Sequence, residues 1–391
     1  MGGSLKLFDQ RTAVIVAARR TPISTRGGRL ADKTVDQLAA PAIEGALADA
    51  SLATGFTPAI ADVILGNCMG PGGNLARLSA LAAGLGVAVP GLTIDRQCGS
   101  GLSAIIIGGD AVRSGDDRMQ LAGGAESAST APARVMNGIP YERAAFTPAG
   151  FPDPQMGPAA QSLAARYGIA RERQDAFAAR SHRLALAEAE RGGFAAELVA
   201  VDGMGFDDAP NRRMPELLGR FASLYPTGQG PGTVTAGNSC RISDGAAVVA
   251  MLPMHARANT PGLALVAHAT VGCDPAEPGI GPVAAITQLL ERAGLSMDSI
   301  AAFEIVEAFA AQSLAVLYEL GLAGESFVDP RVAAGGGALA LGHPWGASGA
   351  VSVVRLFSRL VRGGAEAGSY GIAAAAIGGG IGVAALFRVV R

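Results

Sequence analysis

Residues 371–387 read GIAAAAIGGGIGVAALF: a run of small apolar residues, three consecutive glycines and a second apolar run. How this stretch is read decides the fold. About 17 uncharged residues reach the lower limit for a transmembrane helix, and glycines occur where such helices pack closely. Yet the stretch is mostly Ala and Gly, with few large apolar side chains to hold it in lipid. Two buried strands around a glycine turn fit better, because glycine adopts the tight-turn conformations that other residues avoid. A soluble fold is expected, with no membrane partner.

Working outward, the same order of elements occurs twice. AVIVAARRTPI reads as a strand, followed by a helix-period segment with apolar Val35, Leu38, Ile43, Ala46 and Leu47. DVILG is a second strand, GSGLSAI opens a helix and MQLAGG is a third strand. From residue 263, LALVAHATVG, VAAITQLLERAG, AAFEIV, ASGAVSV and GIAAAAIGGG repeat strand, helix, strand, helix, strand. Such alternation implies two similar α/β halves with parallel sheets built from βαβ units. Between about 125 and 250 the composition shifts to Pro-, Gly- and Arg-rich segments around one strong helical pattern, RERQDAFAARSHRLALAEAERGGF. A long insert of this kind is usually a lid or binding lobe.

Composition narrows the function. The chain has 391 residues, 49% hydrophobic and 16% charged, with net charge −2. That suits a compact globular protein and argues against nucleic acid as a partner, because no basic block is present. The four cysteines, Cys68, Cys98, Cys240 and Cys273, are widely spaced without a C-x-x-C motif. Neither a metal site nor a disulfide framework is expected, and a reducing cytoplasm is the expected location. The N-terminus MGGSLKLFDQ lacks the apolar stretch of a signal peptide.

Two segments carry nucleophilic chemistry. In DRQCGSGLSAIIIGG, residues 95–109, Cys98 precedes a Gly-Ser-Gly turn and a helix start. There the helix dipole and unpaired N–H groups are expected to lower the thiol pKa and to hold an oxyanion. In ALALGHPWGASGA, residues 338–350, His343 sits in a glycine-rich turn before a helix. A cysteine nucleophile needs a base, and histidine is its commonest partner. His182 and His255 read as ordinary surface or helix residues, and His268 lies in a strand.

QCGSG (97–101), EAFAAQ (307–312), GGALALGHPWGASGA (336–350) and IGGGIG (377–382) together resemble the thiolase family. GTVTAGNSCRISDGAA (232–247) and GGAES (123–127) fit the same resemblance, which covers nearly the whole chain in order. It implies a five-layered αβαβα core of two duplicated halves with an inserted loop domain. The expected boundaries are 1–124 for the first half, completed by about 245–271, then 125–244 for the insert and 272–391 for the second half. It also implies that Cys98 takes an acyl group from an acyl-CoA thioester, His343 activates it, and the N–H groups of Cys98 and Gly378 form the oxyanion hole. Coenzyme A would be substrate and product, contacted by Met156, Ser239, Cys240 and Tyr225, with no permanently bound cofactor. The family forms homodimers and homotetramers.

The sequence departs from the family pattern where carbon–carbon chemistry is done. Ala376 stands where thiolases carry a second cysteine, which moves the proton at the substrate's α-carbon. Val306 replaces the Asn of N-E-A-F, which holds a water in a second oxyanion hole. Gln155 replaces a His, Asp95 an Asn, Cys240 a CoA-contacting Ser and Tyr225 a CoA-binding Arg. The expectation is an acyltransferase working through acyl-Cys98 with an impaired or altered Claisen or thiolysis step. Two alternatives stand beside it: a true 3-ketoacyl-CoA thiolase with a substitute acid/base (Glu307, Gln155, Ser239 or Cys240), and a non-catalytic partner subunit.

Overall fold

The structure, a computed structural model, describes residues 8–141, 143–226 and 230–391. The absence of a leader was read from residues that fall mostly outside this range. In the first half, β1 (Ala13–Arg20) and the short β2 (Ser24–Thr25) precede α1 (Val35–Thr54). β3 (Ile60–Gly66), α2 (Leu75–Ala82), β4 (Gly91–Ile94), α3 (Ser100–Arg113) and β5 (Met119–Glu126) follow. Local signals set these elements. At the start of α1 the Gln37 carboxamide oxygen accepts from the Thr34 N–H at 3.0 Å, and Gly55 closes the helix in the left-handed region at φ 79°.

The long excursion carries a hairpin, β6 (Arg134–Met136) and β7 (Ile139–Tyr141), then α4 (Met156–Arg166), α5 (Arg171–Glu190) and α6 (Met214–Leu217). The chain returns through β8 (Ser243–Pro253). The second half contains β9 (Gly262–Gly272), α7 (Gly281–Ala293), β10 (Ile300–Ile305), α8 (Ala310–Glu319), α9 (Ala338–Leu341), α10 (Trp345–Phe357), β11 (Tyr370–Ile377) and β12 (Ile381–Val390).

The repeat read from the sequence is a repeat of topology. Counted outward from the junction of the halves, the first runs β1-β8-β5-β3 and ends at β4, and the second runs β9-β12-β11-β10. The two halves meet where Val14 and Ile15 of β1 pair antiparallel with Ala264 and Leu263 of β9. One expectation needs correcting: the sheet is mixed. Only β3–β4, β3–β5 and β10–β11 are parallel, whereas β1–β8, β5–β8, β9–β12 and β11–β12 are antiparallel. The physical reason is the connection. β12 follows β11 through a three-residue turn, which can join only antiparallel strands.

Helices cover both sides. α1 packs on β1, β5 and β8, α7 packs on β9, β11 and β12, and α3 and α10 lie against each other and against strands of both halves. This is an αβαβα arrangement, and strand alternation feeds its cores. Val248, Ala250, Ile372, Ala374, Ala384 and Leu386 face the outer helices. Val249, Met251, Ala373, Ala375, Ala385 and Phe387 face the central pair. Every residue of β8 is buried, which is why the apolar runs of this chain show little polar alternation.

The opening stretch is therefore β11, a turn and β12, in register from Tyr370–Arg388 to Ile377–Ile381. Among the described residues no helix is long and apolar enough to cross a membrane. The three glycines serve different needs. Gly379 and Gly380 have φ of 88° and 81°, where other residues are strained. Gly378 is limited by space, because a Cβ there would lie 2.5 Å from Cε2 of Phe146.

Candidate active site

Cys98 lies where β4 gives way to α3. Gln97 takes a left-handed conformation (φ 46°), and Cys98 occupies a single 3₁₀ turn, Gln97–Gly99, ahead of the helix. Asp95 Oδ1 accepts from the Gln97 N–H at 2.8 Å, and Ser100 Oγ donates to the Gln97 carbonyl at 2.6 Å. The glycines of QCGSG permit close packing on two sides. A Cβ on Gly99 would meet Ile377 Cδ1 at 2.4 Å, and one on Gly101 would meet the Gly346 carbonyl at 2.8 Å. The nucleophile's turn is thus wedged between the β11–β12 hairpin and α10.

His343 is carried between α9 and α10. Its N–H donates to the Arg241 carbonyl at 2.9 Å, tying it to the segment before β8. Its Nε2 is 3.2 Å from Cys98 Sγ, across 245 residues of sequence, and its Nδ1 is 2.6 Å from Ser348 Oγ. Burial pushes the imidazole down to about 4 and the Cys98 thiol up to about 12. The charges of Glu126 and Asp95 push the thiol in the same direction. The expectation of a lowered thiol pKa is overturned: in so dry a site, loss of solvation outweighs the helix start. Both groups are neutral at rest. The thiol then donates to Nε2, which places the ring proton on Nδ1, where it donates to Ser348 Oγ.

Glu126, at the end of β5, locks this frame. Its carboxylate accepts from the N–H groups of Cys68, Met69 and Gly346 at 3.0 Å and from Asn67 Nδ2 at 2.9 Å. It thereby fixes the loop after β3 to the start of α10. Among the described residues no carbonyl or side-chain oxygen accepts from the N–H of Cys98 or of Gly378. The ring of Phe146 covers Gly378. It is stacked 4.6 Å from the Arg143 guanidinium, and Asp153 receives bonds from both residues.

The remaining residues singled out by sequence fall into two groups. Cys240 neighbours Cys98, and Ser239 precedes it in a bridge to Phe309. Ser239 Oγ donates to the Thr235 carbonyl at 2.7 Å, and the Cys240 N–H donates to the Ala308 carbonyl at 2.9 Å. Burial and the neighbouring Cys98 push the Cys240 thiol up. Met156 starts α4, and a Cβ on the next residue, Gly157, would fall 2.1 Å from Tyr225 Oη. The second group is this start of α4 with Tyr225, and no hydrogen bond joins it to Ser239 or Cys240 among the described residues. Gln155 is exposed, Ala376 is half-buried opposite Gly382, and Val306 is buried, its N–H donating to the Ala374 carbonyl.

Glu307 is buried with its carboxyl pushed up to about 7 by loss of solvation. Its Oε2 accepts from Ser181 Oγ at 2.7 Å and the Leu339 N–H at 3.3 Å, while Oε1 has no protein partner. His182 is not at the surface. It is buried in α5, where Nδ1 accepts from the Asn211 N–H. Ser348, Glu126 and Phe146 were missed by sequence reasoning. Ser348 left a signal as the one hydroxyl within GHPWGAS, and Glu126 as the carboxylate of GGAES; Phe146 left none. All four cysteines are unpaired, and no cluster of His, Cys, Asp and Glu suited to a metal occurs among the described residues.

Comparison with known proteins identifies the family. The family model "Thiolase, N-terminal domain" matches residues 13–255, and "Thiolase, C-terminal domain" matches residues 260–389. The chain is 42% identical over 382 residues to a putative acetyl-CoA C-acetyltransferase, YhfS, of Bacillus subtilis, covering 96% of this chain and 99% of that protein. It is 40% identical over 395 residues to an acetyl-CoA acetyltransferase of Pseudomonas aeruginosa, covering 95% and 98%. The crystal structure of human mitochondrial 3-ketoacyl-CoA thiolase in complex with CoA superposes with a TM-score of 0.85 at 32% identity, covering 98% of this chain and 99% of that one. The chain belongs to the thiolase family.

Proposed function

We propose that this thiolase-family chain is an acetyl-CoA acetyltransferase-type enzyme that moves an acyl group from coenzyme A through an acyl-Cys98 intermediate. The observation that carries this reading is the 3.2 Å contact between Cys98 Sγ and His343 Nε2. As Sγ attacks the thioester carbonyl, the thiol proton passes to Nε2, and Ser348 steadies the resulting imidazolium through Nδ1–H. The oxyanion is received by the N–H groups of Cys98 and Gly378, a pair of fixed donors of the kind worth several kcal/mol in the transition state. Collapse expels the CoA thiolate, which takes the proton from His343. Met156, Tyr225, Ser239 and Cys240 would contact coenzyme A, on the inserted segment 125–244. A homodimer or homotetramer in the cytoplasm is part of the same reading.

The second half of the reaction is altered. Making or breaking a bond at the substrate's α-carbon needs a proton donor there and charge stabilisation for the enolate. Ala376 and Val306 supply neither. A missing acid/base costs typically 10²–10⁴ in rate, and a missing oxyanion donor about 10²–10³. The test compares wild type with Ala376→Cys for acylation of Cys98 and for acetoacetyl-CoA thiolysis. Thiolysis is expected to rise by roughly 10² while acylation stays within a few-fold. Equal thiolysis in both proteins would show that the carbon–carbon step was never limited by position 376.

A further inference from the structure

Any bond broken between an α-carbon and a carbonyl carbon leaves an electron pair on the α-carbon that must be protonated. His343 cannot serve at that moment, because it already holds the proton of Cys98. We propose that Cys240 is the residue that delivers the proton to the α-carbon of a 3-oxoacyl thioester, in place of a side chain at 376 and more slowly than a thiol at 376 would. This rests on the acyl transfer proposed above.

The case is one of placement and elimination. Glu126 is saturated by four N–H donors. Cys68 Sγ is paired with Ser100 Oγ at 3.7 Å, Asp95 is engaged by Gln97, and Ser239 donates its proton to the Thr235 carbonyl. Glu307 gives one oxygen to Ser181 and Leu339, and the other, though unpartnered, is fully buried where the carboxyl packs on Gly337. Of these groups, only the Cys240 thiol combines the lack of a hydrogen-bond partner among the described residues with an accessible surface for its residue. Its main chain is held on both sides: its N–H by the Ala308 carbonyl, two residues after Val306, and the next carbonyl, of Arg241, by the His343 N–H. That puts Cys240 between the edge that has lost its Asn and the base that serves Cys98. Burial and Cys98 keep the thiol protonated, as an acid must be before the step.

The balance closes. Cys98 gives its proton to His343, and its sulfur bonds to the ketone carbon. The bond to the α-carbon breaks, and the α-carbon takes the Cys240 proton, releasing acetyl-CoA and leaving Cys240 as thiolate. Incoming CoA–SH gives its proton to Cys240 and attacks the acyl group. The Cys98 sulfur leaves and recovers its proton from His343.

The test follows two readouts in one incubation of intact protein with acetyl-CoA in D₂O: deuterium entering the acetyl methyl group, and acetyl-Cys98 by intact mass. Wild type is expected to show both. In Cys240→Ala the exchange should fall at least ~10² further than acylation does. Cys240→Ser, which keeps size and a hydrogen-bonding group but is no acid, should lose exchange like Ala. Exchange and acylation falling together, or restored together by Ser, would reduce Cys240 to a contact for coenzyme A and overturn the proposal. Acylation without any exchange in wild type would overturn it too. No acylation at all would instead strike the acyl-transfer reading on which it rests.

Discussion

Ser348→Ala isolates the part of the site that sequence hid. It removes the acceptor 2.6 Å from His343 Nδ1 and leaves a buried N–H with no partner. Leaving a buried donor unsatisfied costs about 1–3 kcal/mol, which corresponds to roughly 5- to 150-fold in rate where the cost falls on the imidazolium of the transition state and not on the resting ring. The direction follows from the tautomer. Without Ser348 the ring proton is free to sit on Nε2, where it faces the thiol as a second donor and cannot accept. A cavity of about 30 Å³, lined by Ser348, Val306, Leu341 and Pro344, adjoins the hydroxyl. It is large enough for one water, which would place the loss at the lower end of the range. The assay is the rate of acetyl-Cys98 formation by quenched intact mass, with thermal unfolding measured in parallel. Ser348→Thr keeps the hydroxyl, its methyl can enter the cavity, and it should retain most of the rate. An unchanged rate in Ser348→Ala, or an equal loss in Ser348→Thr, would refute the assigned tautomer.

Three further outcomes follow from the geometry. Gly378→Ala drives a Cβ to 2.5 Å from the Phe146 ring; it should slow acylation by roughly 10², and Phe146→Ala in the same chain should restore most of it. A wild-type rate in the single variant would remove that turn from the oxyanion hole. Glu307 has its carboxyl raised from 4.5 to about 7 in the folded protein. The folded state therefore binds more protons than the unfolded one between those values, and stability is lost as pH rises through them. Glu307→Gln lacks this loss. Its stability relative to wild type should improve by about 3 kcal/mol from pH 4.5 to above 7 in urea titrations, and a flat difference would contradict the shift. Glu197 is fully buried between Arg20 and Arg355, at 2.7 Å from each. Glu197→Ala strands two buried guanidinium groups and should cost about 3–5 kcal/mol in the same titration; a loss under ~1 kcal/mol would show the network to be poorly coupled.

Much of the fold was legible because its signals are local. Helical spacing marked α1 and α7, and apolar runs marked β1, β3, β9 and β11. Their recurrence announced the duplication. Strand direction was not legible, since it depends on how each connection crosses the sheet, and β4 escaped because GLTI is too short to show a pattern. Cys98 and His343 stood out because each sits among glycines that let backbone pack against backbone. Their partners did not. Phe146 reaches Gly378 from the excursion, and Glu126 joins Cys68 to Gly346. The thiol's raised pKa is a property of burial, which no stretch of sequence around Cys98 reports.

The most direct test of the account is intact mass after mixing the protein with acetyl-CoA and longer acyl-CoAs, alongside Cys98→Ala. The account predicts an acyl-sized gain with release of free CoA in the wild type and neither in the variant. No adduct and no CoA release with any donor would contradict it, and a thiolase-like partner subunit without turnover would then be the better reading.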